Sequence, residues 1–317
     1  MSPSLAEPAP APLFDCDAPG GGRALWLRAG DGVRIRLAFW PGARGHVLIL
    51  PGRSEWIEKY GLVVAALAGA GWGALVLDWR GQGLSERLAP DPRLGHVARF
   101  TDYQIDLHAA LEVAVKLAPG PLPVIAHSMG GCILLRALVE GLRPPAVAIS
   151  APMWGLDQPF GLRAGLRAGA ALTGPFGRDA AYVPTTGPDY GLITTEFDGN
   201  SLTRDRAQFD RMKAQLGAHP ELAIGGPSLR WMAAALVEMR ALSRLPSPPV
   251  PALIGLGGNE RIVSPRAIRA RAAIWPGAEL VDYPGAEHEL LMEVPDVLDD
   301  FLQRTLALFA RAGGTAA

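Results

Sequence analysis

Six short, mostly apolar runs, at 46–50, 73–77, 122–126, 146–150, 250–256 and 279–283, recur along the chain with helix-patterned sequence between them. Runs this short and this free of polar alternation are strands covered on both faces. That pattern demands an α/β fold with a doubly wound, mostly parallel central sheet flanked by helices. Two earlier stretches, 23–28 and 33–40, alternate polar and apolar residues about a Gly30-Asp31-Gly32 turn, as a hairpin at a sheet edge does. Between the runs ending at Ser150 and starting at Val250 no strand pattern recurs, and the stretches 160–173, 205–219 and 228–242 read as helices. This reads as an inserted helical cap, closed by the Pro246-Ser247-Pro248-Pro249 return. The expected organisation is a disordered arm at 1–20, a first part of the core at 21–152, the cap at 153–246 and a second part of the core at 247–317.

A chain of 317 residues that is 49% hydrophobic buries such a core without staples. Its net charge of −1, from 30 basic and 31 acidic residues with no block of either sign, excludes a nucleic-acid partner. Cys16 and Cys132 form neither a disulfide framework nor a metal-ligand pattern. Residues 1–13 are rich in Pro, Ala and Ser and have no basic or apolar signal region, so a cytoplasmic protein is expected. The uncharged stretch 61–77 is broken by Gly69, Gly71 and Gly73 and reads as a buried helix and strand rather than a membrane span.

One strand end carries chemistry. Val124-Ile125-Ala126-His127-Ser128-Met129-Gly130-Gly131 sets a serine between an apolar strand and a small-residue helix start, the layout of a nucleophile elbow. The Met129 N–H, in the first turn of that helix, is a candidate oxyanion donor. After the run 46–50, Pro51-Gly52-Arg53 lets the backbone fold toward Ser128, which makes the Arg53 N–H a second candidate. The loop after the last strand, Pro284-Gly285-Ala286-Glu287-His288-Glu289, supplies His288 as the candidate base, with His96 a competitor in the Gly95-His96 loop. For the acid that orients the imidazole there are two candidates, Glu260 after the run 250–256 and Asp282 on the strand before His288.

With these residues in place, the sequence resembles the α/β-hydrolase superfamily, and within it the lysophospholipase L2 and monoacylglycerol lipase group, also called serine aminopeptidase S33. The resemblance rests on the elbow, on Asp78-Trp79-Arg80-Gly81-Gln82-Gly83-Leu84-Ser85, on Gly95-His96-Val97 through Phe100, and on His288-Glu289-Leu290-Leu291-Met292-Glu293. It implies Ser128, Glu260 and His288 as the catalytic set, in the chain order usual for that fold, with Arg53 and Met129 as oxyanion donors. Most relatives have Asp where this chain has Glu260, and relatives often carry His-Gly where it has Pro51-Gly52.

The implied activity is a carboxylic-ester hydrolase working through an acyl-enzyme on single-chain esters such as monoacylglycerols or lysophospholipids, with no metal and no cofactor. Trp154, Phe160 and Trp231 are the expected substrate-lining residues, and transient contact with a lipid surface is expected in place of an integral segment. A peptidase or amidase is the alternative, for which Asp189, Glu196 and Asp198 would hold an α-amino group. A non-catalytic binding protein on the same fold is a third reading.

Overall fold

Among the described residues, one sheet of nine strands organises the chain, in the order β1-β2-β3-β5-β4-β6-β7-β8-β9. The computed structural model describes residues 7–157, 180–184, 186–189 and 191–313. β1 (Ala9–Ala11), β2 (Arg23–Arg28) and β3 (Arg34–Trp40) are antiparallel, and β3 joins β5 (Gly73–Asp78) in the same sense. From β5 onward the sheet is parallel through β4 (His46–Leu50), β6 (Val124–His127), β7 (Val147–Ser150), β8 (Ala252–Gly257) and β9 (Ala278–Tyr283). The six apolar runs are thus the six parallel-sheet strands, and the hairpin pairs from Arg28↔Arg34 to Arg23↔Phe39.

Strand alternation sorts the core into two layers. Leu48 and Leu50 of β4 face one layer with α2 (Asp102–Leu117), α3 (Met129–Val139), α5 (Leu229–Leu242) and α6 (Pro265–Ala272). Val47 and Ile49 face the other, with α1 (Gly61–Gly69), α4 (Arg206–Ala218) and α7 (Pro295–Gly313). Covered on both sides, β6, β7 and β8 have no polar side chain before their C-terminal ends, where the loops gather, and β4 is apolar after its half-buried His46.

One expectation changes. The described part of the expected arm is docked: Ala9 pairs with Trp26, Phe14 stacks on His219 at 3.6 Å, the Phe14 N–H donates to Glu58, and Cys16 is buried. The arm was misread because Ala-Pro-Ala has no strand propensity of its own, and only pairing with β2 makes it a strand. The described part of the inserted region carries helices, and two expected helices start where their N-caps lie: Asp205 accepts from the Gln208 N–H and Ser228 from the Trp231 N–H. Yet α5 packs into the main core, with Trp231, Ala235, Leu236 and Met239 buried there and Glu238 paired to Arg136 of α3. The expected helix at 160–173 lies outside the described residues. Among the described residues, no helix is long and apolar enough to cross a membrane.

Candidate active site

β6 passes into α3 at a single residue, Ser128, whose φ of 48° and ψ of −113° lie in a region that non-glycine residues avoid. Such a conformation costs about 1–3 kcal/mol and persists only where the surroundings enforce it. Here the Ser128 N–H donates to Ser150 O at 3.0 Å, and the Ser128 carbonyl accepts from the N–H groups of Gly131, Cys132 and Met153. Gly130 is small by necessity, because a Cβ there would stand 2.1 Å from Leu50 O and 2.6 Å from Pro51 O. The start of α3 and the end of β4 therefore touch. N–H groups in the first turn of a helix have no partner in the i→i−4 ladder, and Met129 is the first of them here.

His288 lies in the loop after β9, buried, with Nδ1 2.6 Å from Glu260 Oε2. The other Glu260 oxygen accepts from the N–H groups of Ile262 (2.7 Å) and Val263 (3.0 Å). Burial pushes the Glu260 carboxyl upward, but the His288 bond and charge and these two N–H groups outweigh it and hold it below its ordinary value. The His288 loop is tied down as well: Glu293 accepts the Glu287 N–H, and the N–H groups of His288 and Glu289 donate to Ser201 O and Leu202 O of the inserted region. The His288 ring centroid is 4.8 Å from that of His127, the residue preceding Ser128. A carboxylate on Nδ1 leaves Nε2 as the basic nitrogen, the arrangement a serine needs to lose its proton.

The competing candidates are engaged elsewhere. Asp282 is half-exposed and makes two bonds to Arg269, at 2.7 and 2.8 Å. His96 Nδ1 is 2.9 Å from Ser228 Oγ, where the Gly95 loop meets the N-terminus of α5.

The parallel register Leu50↔Ala126 carries the loop after β4 alongside Ser128. That loop is held from two directions. From the loop after β5, Trp79 Nε1 donates to Pro51 O (2.9 Å), Gln82 Nε2 donates to Gly52 O (3.0 Å), and Gln82 Oε1 accepts the Ser54 N–H (3.1 Å). From below, Glu55 accepts the Gly52 N–H and the Tyr60 hydroxyl, and its other oxygen pairs with Lys59. Lys59 also pairs with Glu289 at 2.7 Å, so one buried ammonium joins the loop after β4 to the His288 loop. The Arg53 side chain turns aside to Gly225 O and stacks over Trp231.

Glu55, His127 and Glu289 have potential ligand atoms within 4.8 Å of one another. Lys59 already brings its charge to both carboxylates, so the cluster is an ion-paired one, and a further cation would meet the ammonium. Burial raises the Glu55 carboxyl, but Lys59 and then His127 outweigh it and hold it at about 2. Glu289 goes the other way, raised by burial that Lys59 only partly offsets and by the charge on Glu55. Burial lowers His127 to about 3, so it is neutral at ordinary pH.

Sequence reading missed Lys59, Glu289 and Gln82 as parts of this assembly. The spacing of Glu55 and Lys59, four residues apart, was the one local signal; the rest depends on contacts between distant loops. Of the expected substrate-lining residues, Phe160 lies outside the described residues. Trp154 is buried with its Nε1 on Gly131 O and its ring stacked on Trp275. Trp231 is buried against Phe100 with its Nε1 on the Tyr103 hydroxyl. Both indoles are thus engaged in holding elements together.

The family model described as serine aminopeptidase, S33, matches residues 41–295. Lysophospholipase L2 of Escherichia coli strain K12 is 35% identical over 268 residues, covering 78% of this chain and 75% of that protein. A probable lysophospholipase L2 of Haemophilus influenzae is 27% identical over 263 residues, covering 82% of each chain. Among solved structures, a soluble variant of the Saccharomyces cerevisiae monoglyceride lipase with a substrate analog superposes at a TM-score of 0.66 with 20% identity over 98% of both chains. The monoacylglycerol lipase of Paleococcus ferrophilus gives 0.67 with 17% identity over 88% of this chain and 99% of that one. At these identities the structural likeness is one of fold.

Proposed function

The chain belongs to the serine aminopeptidase S33 family of α/β-hydrolases, and on that premise we propose that it hydrolyses esters of single acyl chains, of monoacylglycerol or lysophospholipid type, at Ser128. Ser128 Oγ attacks the ester carbonyl while His288 Nε2 takes its proton. Glu260 steadies the imidazolium, and the N–H groups of Arg53 and Met129 receive the oxyanion. Collapse releases the alcohol, protonated by His288, and leaves an acyl-Ser128. Water deprotonated by His288 then attacks, the bond from the acyl carbon to Ser128 Oγ breaks, and His288 returns the proton to Oγ as the fatty acid leaves. The observation that carries this reading is the 2.6 Å bond between His288 and Glu260, in a loop that Lys59 ties to the loop after β4, with Ser128 in a strained turn at the end of the neighbouring strand.

The lipid class comes from the curated relatives, whose names specify lysophospholipase. The peptidase alternative finds less support: Asp189 is exposed and paired with Arg93, and Glu196 and Asp198 are exposed beside Arg206. Both cysteines are unpaired and buried, which supports a reducing, cytoplasmic setting. A fluorophosphonate probe should label Ser128, and Ser128→Ala should abolish hydrolysis of a p-nitrophenyl ester series while aminoacyl p-nitroanilides remain uncut. Faster cleavage of the anilides, or labelling at another residue, would overturn the reading.

A further inference from the structure

Gln82 is buried in the loop after β5 and is placed to act on the oxyanion donor through its peptide. The Gly52 carbonyl that Gln82 Nε2 bonds, at 3.0 Å, belongs to the same planar peptide unit as the Arg53 N–H. In a trans peptide these two groups point in opposite directions, so fixing the oxygen fixes the direction of the N–H. On the other side of Arg53, Gln82 Oε1 accepts the Ser54 N–H at 3.1 Å. Ser54 has a φ of 63°, a left-handed conformation that a side chain other than glycine adopts only when held. One amide thus clamps both peptides flanking Arg53. Its orientation is dictated, since a carbonyl can only accept and an N–H can only donate.

Gln82 is itself set rigidly. Its N–H donates to Trp79 O at 3.0 Å and its carbonyl accepts from the Ser85 N–H at 3.0 Å. The next residue, Gly83, has a φ of 51°, and a Cβ there would fall 2.1 Å from the Asp78 carboxyl carbon. Asp78 in turn bonds the Leu84 and Ile57 N–H groups and Arg36. The buried loop after β5 therefore ends in a side chain whose two polar atoms are both committed to the loop after β4.

We propose that Gln82 is a positioning residue that aims the Arg53 N–H at the developing oxyanion. The proposal rests on the reading of Ser128 and Arg53 given above. Because an oxyanion contact acts in the transition state more than in the bound ester, losing the clamp should lower kcat and leave KM nearly unchanged.

The test uses the full-length protein with Gln82→Met and Gln82→Glu. For Gln82→Met, kcat on a p-nitrophenyl ester should fall about 10- to 100-fold, less than removing a donor outright. KM should stay within about twofold, and affinity for an alkyl trifluoromethyl ketone, whose adduct carries an oxyanion, should fall in parallel with kcat. In Gln82→Glu, the protonated carboxyl can still donate to Gly52 O, whereas the ionised form repels it. The activity of this variant relative to wild type should therefore rise as pH falls from about 8 to about 6. A folded Gln82→Met enzyme with unchanged kcat and ketone affinity would overturn the proposal. So would a Gln82→Glu deficit that does not vary with pH, and this second outcome decides the matter if Gln82→Met does not fold. Absence of fluorophosphonate labelling at Ser128 in the wild type would instead remove the catalytic reading on which the proposal stands.

Discussion

Glu260 commits one oxygen to His288 and the other to two backbone N–H groups. Replacing it with glutamine keeps the shape but removes the charge that steadies an imidazolium, and kcat should drop roughly a hundredfold or more. Asp282→Asn, in contrast, touches a surface pair with Arg269 and should leave kcat within about twofold. The same carboxylate should mark stability. Its folded pKa is below the ordinary 4.5, so its contribution is present above about pH 4.5 and fades as pH falls through the lower folded value. The gap in Tm between wild type and Glu260→Gln should accordingly narrow as pH is taken below 4.5. A gap that widens in acid would refute the linkage. Pairing Glu260 with His288 was legible in the sequence because each follows its own apolar strand, and such strand ends converge in a parallel sheet. Gln82 was not: its partners lie 28 and 30 residues away in another loop, and no spacing rule connects them.

Helix α5 shows what periodicity can and cannot tell. Its start was legible from the Gly-Pro-Ser sequence and its length from the apolar spacing, because capping and helix period are local. What its apolar face meets was not legible, since a stripe that lines a substrate slot and a stripe that packs on α3 have the same period. Trp231 sits in that stripe, bonded to Tyr103 and edge-on to Phe100. Trp231→Ala should therefore lower stability by about 3–5 kcal/mol, the usual scale for truncating a buried aromatic. Hydrolysis should decline by a similar factor at every acyl length. A selective shift between short and medium esters with unaltered Tm would return Trp231 to the substrate.

Across the whole molecule, the buried Lys59 ties residues early in the chain to Glu289 near its end. Lys59→Met would leave two buried carboxylates facing each other with no cation, and breaking a buried pair typically costs about 3–5 kcal/mol. Unpaired, the carboxyls should have raised folded pKa values, so their destabilisation appears as pH rises and they ionise. The Tm loss should be on the order of 10 °C near pH 8 and smaller near pH 5. A loss independent of pH would mean that the lysine acts only by filling space. This link also orders events during synthesis, when a chain folds from its N-terminal side first. The strands that bend Ser128 into its turn, β4, β6 and β7, are all made before residue 151, whereas Glu260, His288 and Glu289 emerge only after the inserted region has been made. On the proposed mechanism, a nascent chain would carry the serine with no base to take its proton, so hydrolysis waits until the second part of the core has closed onto the first.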